Sequence, residues 1–169
     1  MKQTTIYKIL TFILLPFAAL FGLFSLIMIF IGLANPVILL PVCVMACFTI
    51  YTVCCTIFIV KGLDRQQQLK PSLKDWIKVN GYVSNVMAVI SVINSFALIA
   101  YSKPQLTKLA QELLAAQPVK PEGVSIETIV NALLVMTYIM LVFSIVLLIQ
   151  LALSFRLVKK YQHLFETQS

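Results

Sequence analysis

Four long stretches of this chain, residues 9–33, 37–60, 79–101 and 129–155, contain no Asp, Glu, Lys or Arg. Each exceeds the roughly 20 residues that cross about 30 Å of hydrocarbon at 1.5 Å per residue. Only 11% of the 169 residues are charged and 60% are hydrophobic, whereas a soluble domain carries roughly 25% charge. A soluble domain of this length keeps too much of its area wet to hide such a surface. Lipid can cover it instead, and in lipid the backbone must pair within each segment, so each stretch is expected to be helical. The alternating polarity of barrel strands is absent. The expected fold is all-α: a single membrane domain over residues 1–169, built as a bundle of four antiparallel transmembrane helices. Lys2 and Lys8 before the first stretch resemble the start of a signal peptide. The stretch is too long for that reading and no small-x-small cleavage site follows it.

The net charge of +7 is explained by topology before any nucleic acid, because the bases flank the apolar runs and no basic stripe stands apart from them. Lys and Arg near short loops mark the cytoplasmic side. Lys2, Lys8, Lys61, Arg65, Lys70, Lys74, Lys78, Arg156, Lys159 and Lys160 fall on one side of the predicted topology, against Lys103, Lys108 and Lys120 on the other. Both termini are therefore expected in the cytoplasm, with the chain in the cell (inner) membrane.

The segments between the spans carry their own signals. Asn35 is a good N-cap and Pro36 suits the first helical position, so spans one and two form a tight hairpin. Pro16, inside the first span, is expected to bend it, and Pro41 lies near the start of the second. In the inner loop, residues 61–78, Gly62, three glutamines and Pro71 precede Ser72 and Asp75, which resemble a capping box. Trp76 and Tyr82 fit an interfacial aromatic belt. In the outer loop, residues 102–128, a short amphipathic helix is predicted over 104–116. Leu106, Leu109, Leu113 and Leu114 fall on one side of it, with Lys108, Gln111 and Glu112 opposite. Pro118, Pro121 and Gly123 then break the chain, and Ser125 is the expected N-cap of the last span. Beyond residue 155, Leu157, Tyr161, Leu164 and Phe165 interleave with Arg156, Lys159, Lys160 and Gln162. This basic amphipathic tail suits the anionic inner membrane surface, with Arg156, Lys159 and Lys160 as anchors. Docking on a soluble partner is the other reading.

Lipid is as apolar as leucine, so small residues and interhelical hydrogen bonds decide which helix faces meet. Gly81, Ser84, Ala88, Ser91 and Ser95 repeat at helical spacing in the third span, and Thr11, Leu15, Ala18, Gly22, Ser25, Ile29 and Gly32 in the first. Both rows are expected to form packing seams. Asn85, Asn94, Asn131 and Gln150 are the strongest polar residues within the spans. They read as interhelical glue, or alternatively as the lining of an uncharged pathway for a small solute. An intramembrane acid, base or histidine, which ion-coupled transport and proton relays use, is absent from the spans.

Chemistry-bearing residues are sparse. Cys43, Cys47, Cys54 and Cys55 all lie in the second span without a histidine nearby, so packing is preferred to a thiolate metal site. His163, the only histidine, lies in the tail with no nucleophile beside it. Glu112, Glu122 and Glu127 are spread along the outer loop and read as solubilising. None of the phosphate-binding, zinc-protease or nucleophile-elbow signatures is present, and no cofactor is implied. The sequence therefore points to a non-catalytic multi-pass protein. Its surroundings are the lipid bilayer, and it acts by assembling with itself or with a larger membrane partner.

Overall fold

The computed structural model describes residues 2–115 and 125–165, and over these the protein is all-α. Helix α1 spans Lys2–Ala34 and α2 Pro36–Ile57, followed by a π-helical turn over Phe58–Asp64. Helices α3 (Pro71–Ile99), α4 (Lys103–Ala115) and α5 (Ile126–Lys160) follow, and a 3₁₀ turn over Gln162–Phe165 ends the described chain. Four of the helical stretches, Gln3–Gly32, Val37–Asp64, Pro71–Ile99 and Ile126–Lys160, are long and apolar enough to cross a membrane. Lys120, Glu122, Pro118, Pro121, Gly123 and the expected end of the outer helix at residue 116 lie outside the described residues.

Local chemistry sets most of the helix ends. Asn35 caps α2 through its side-chain oxygen, which accepts from the Val37 amide at 3.2 Å, and Pro36 opens the helix. Ser125 caps α5, its hydroxyl oxygen accepting from the Thr128 amide at 3.1 Å. Helix α4 carries a box the sequence reading overlooked: Gln105 Oε1 accepts from both the amide (2.8 Å) and the hydroxyl (2.9 Å) of Ser102. The third long helix starts within one residue of Ser72, as expected, but Ser72 is not its cap. It begins at Pro71, so Ser72 lies inside the first turn and not ahead of it. Proline supplies the preset φ of a first helical residue, which outweighs the capping signal one position later. The second long helix also overruns its predicted end. The π turn carries it to Asp64, and Gln66, in the left-handed region at φ 51°, stops it. The Gln66 amide side chain donates to the Leu63 carbonyl at 3.0 Å and the Gln67 amide to the Lys61 carbonyl at 2.9 Å, satisfying the frayed end. The true linker is thus residues 65–70.

The chain divides into two compact units, residues 1–88 with 146–169, and residues 89–145. In the first, α1 and α2 fold back along each other. A Cβ on Gly22 would lie 2.9 Å from the Thr49 methyl, and the Thr49 hydroxyl reaches the Ala18 carbonyl at 3.1 Å. Phe21 meets Phe48 edge-on at 5.7 Å. At the other end of the pair, Lys8 and Asp64 form an ion pair. Tyr7, Phe58 and Phe165 form an aromatic row there, and the Leu69 amide donates to the Leu164 carbonyl at 2.7 Å. This corrects the expected role of the tail. Leu157, Leu164 and Phe165 are buried, so their apolar surface is used against the protein itself and not against lipid. In the second unit, Ser91 on α3 and Ser144 on α5 bring their hydroxyls to 2.8 Å. Helix α4 buries Leu106 and Ala110, while Leu113, expected on its apolar side, is exposed.

The Gly22–Thr49 contact leaves no room for a larger side chain. Gly22→Leu is expected to force α1 from α2 and to cost about 1–3 kcal/mol. Thermal unfolding in detergent micelles measures this, and an unchanged midpoint would contradict the close approach.

Candidate functional site

Three apolar helices each carry two polar residues four positions apart: Tyr7 and Thr11 on α1, Tyr51 and Cys55 on α2, Gln150 and Ser154 on α5. Residues four apart share a helix face. All six side chains are fully buried, and they close on one another. The Tyr51 hydroxyl donates to Gln150 Oε1 at 2.6 Å. Gln150 Nε2 donates to Thr11 Oγ1 at 3.1 Å, and the Thr11 hydroxyl donates in turn to the Tyr7 carbonyl at 2.8 Å. One turn further along, Ser154 Oγ lies 3.4 Å from the Tyr7 hydroxyl and 3.6 Å from Cys55 Sγ. Gln150 uses both ends of its amide to tie α2 to α1 through α5.

Helix α3 joins the same knot by shape. A Cβ on Gly81 would lie 3.0 Å from the Phe155 ring and 3.2 Å from the Tyr51 ring. Only glycine lets the α3 backbone approach both rings. Beside it Tyr82 stacks on Phe155, with centroids 5.2 Å apart and planes 30° apart.

The chemistry of this cluster is limited by what it contains. None of its members carries a charge, and Cys55 has hydroxyl and amide neighbours but no imidazole or carboxylate to take its proton. A buried thiol without a base is a poor nucleophile. His163 is exposed in the tail. Among the described residues no group of three His, Cys, Asp or Glu side chains comes together as metal ligands. What the arrangement does well is hold helices in register. Every buried side-chain nitrogen and oxygen among the described residues has a hydrogen-bond partner.

The residues singled out from the sequence are placed unequally. On α1, Ser25 and Gly32 are buried and Gly22 is half-buried against Thr49. On α3, Gly81, Ser84, Ala88 and Ser95 are buried and Ser91 is half-buried. Several of the hydroxyls bond their own helix: Ser25 donates to the Gly22 carbonyl and Ser84 to the Asn80 carbonyl. Of the four amides, Gln150 is buried in the knot, Asn85 is half-buried, and Asn94 and Asn131 are exposed. Trp76, Tyr82, Arg156, Lys159 and Lys160 are exposed. Cys43 is exposed, Cys47 half-buried, and Cys54 and Cys55 buried, all four as free thiols. Tyr7, Tyr51 and Ser154 are the members that sequence reasoning missed. The signal was present as three polar pairs at four-residue spacing, among other hydroxyl side chains on the same helices.

The Tyr51–Gln150 bond is testable by a double-mutant cycle with Tyr51→Phe and Gln150→Leu. The single changes each strand a buried partner, and the coupling between them is expected at roughly 0.6–2 kcal/mol. Strictly additive effects on unfolding in detergent would show that the two groups do not bond. No protein-family profile matches this chain, and no curated protein or solved structure is significantly similar to it.

Proposed function

We propose that this chain is a multi-pass integral membrane protein, a four-helix antiparallel bundle with both termini on the cytoplasmic face, that works without catalysis by assembling with itself or with a larger membrane partner. The observation that carries this reading is the mutual satisfaction of the buried polar groups around Gln150. A polar interior that closes on itself acts as glue between helices. Outside it the helices offer apolar side chains, with Leu20, Leu26, Leu33, Val37, Val86 and Val142 all exposed. That is the surface expected of a protein solvated by lipid.

The pairing order supports the proposed topology. Going from Tyr51 to Cys55 along α2 matches going from Gln150 to Ser154 along α5, so these two helices run the same way. Going from Tyr7 to Thr11 along α1 matches going from Ser154 back to Gln150, so α1 runs against them. Alternating crossings of four spans give that parity. It brings the start of α1, the end of α2 and the end of α5 to one side, where Lys8 meets Asp64 and Phe165 meets Phe58. The basic residues of that side make it the cytoplasmic one. A solute pathway lined by the four amides gains nothing from the same geometry. Both ends of the Gln150 amide are used, and Asn94 and Asn131 are on outer surfaces.

Epitope tags on the two termini test the topology. Protease added to inverted membrane vesicles is expected to remove both tags, and to remove neither from right-side-out vesicles; opposite fates for the two tags would refute the arrangement. Assembly is tested by counting photobleaching steps of a labelled chain in native membrane patches, together with identification of co-purifying proteins. Single steps throughout and recovery of the chain alone would refute it.

A further inference from the structure

Among the described residues, the end of the first unit that carries the linker has more basic than acidic side chains. Asp64 is the only acid between Lys61 and Lys70, and Lys8 already pairs with it. Among the described residues this is the only ion pair. Lys61, Arg65 and Lys70 remain exposed on the linker side, and Arg156, Lys159 and Lys160 are exposed on the last turns of α5. Asp75, just past the first turn of α3, has Lys74 and Lys78 near it in sequence.

These two sets of bases are far apart in sequence, and the fold joins the segments that carry them. The Leu69 amide bonds the Leu164 carbonyl at 2.7 Å, Phe165 stacks on Phe58 at 5.5 Å, and the Gln67 amide bonds the Lys61 carbonyl at 2.9 Å. Lys70 is the next residue after one partner of the first bond, and Lys159 and Lys160 lie about one turn before the other. A topological bias in charge asks only that bases flank the spans. It does not ask for the local acid to be neutralised by α1, or for the tail to be fastened to the linker. We infer that the linker and the docked tail form one binding site for the phosphate-bearing headgroup of an anionic phospholipid in the cytoplasmic leaflet. The inference rests on the membrane reading above. Guanidinium groups on both parts, Arg65 and Arg156, suit bidentate contact with phosphate oxygens. Tail docking fixes the bases before the lipid arrives, which lowers the ordering cost of binding.

The chain has one tryptophan, Trp76, exposed near the start of α3, six residues beyond Lys70. The full chain is reconstituted in phosphatidylcholine vesicles, and Trp76 emission is recorded as acyl-brominated phosphatidylglycerol or acyl-brominated phosphatidylcholine is introduced. The anionic lipid is expected to quench more strongly at equal mole fraction. Lys70→Gln, Lys159→Gln and Lys160→Gln are each expected to lower the preference roughly fivefold, until none remains. Phe165→Ala keeps every charge but frees the tail, and is expected to lower the preference as well. Full preference in the triple Lys→Gln variant, or in Phe165→Ala, would overturn the site. Loss of preference on adding inorganic phosphate, beyond the effect of chloride at the same ionic strength, would overturn the lipid as its occupant. Equal quenching by both lipids refutes the site and leaves the membrane reading standing, whereas no quenching by either refutes both.

Discussion

The amide of Gln150 is the interaction on which the arrangement of the first unit turns. It lies on a 35-residue, mostly apolar helix. A buried amide without partners costs several kcal/mol in an environment that offers no other hydrogen bonds. The side chain can meet that demand only by reaching two different helices at once, Tyr51 on α2 and Thr11 on α1. Apolar packing alone would tolerate many rotations of α5 about its axis. The amide tolerates very few, and Ser154 one turn along repeats the constraint with Tyr7 and Cys55.

Close approach supplies what the hydrogen bonds do not. Dispersion contacts gain from short interaxial distance, and small residues permit it. Gly22 opposite Thr49 and Gly81 opposite the rings of Phe155 and Tyr51 are two places where a glycine lets a neighbouring helix come close. The end that holds the start of α1 and the final 3₁₀ turn works by different means. There the helices have run out, and aromatic stacking, one ion pair and a backbone bond between linker and tail close the unit. Burying Leu164 and Phe165 removes an apolar surface from the tail and leaves its lysines facing outward. A segment that reads as amphipathic from its sequence therefore spends its two faces on different tasks.

Much of this was legible from residues alone, and the rest was hidden for a reason. Long uncharged runs announce helices because lipid and backbone chemistry allow little else. Caps are local, so Asn35 and Ser125 could be read directly. The start of α3 was legible to within one residue, since Pro71 and Ser72 both signal a helix beginning and only geometry ranks them. The π turn that carries α2 to Asp64 has no local signature, since Lys61 and Asp64 look like the end of a span. The partners of Gln150 depend on which helix faces meet. Hydropathy is blind to that, because nearly every side chain in the spans is apolar on every face. The docking of the tail likewise joins residues nearly a hundred positions apart, Leu69 and Leu164.

The side-chain amide protons of Gln150 report on the central claim directly. In the folded protein, held in nanodiscs and observed by NMR with labelled glutamine, their exchange with deuterated water is expected to be slowed by orders of magnitude relative to Gln67 and Gln68, which are exposed on the linker. They are also expected to show cross-relaxation to Thr11 and Tyr51. Exchange as fast as that of the linker glutamines, with no contact to α1 or α2, would mean that the knot does not form and that the helices are arranged by something else.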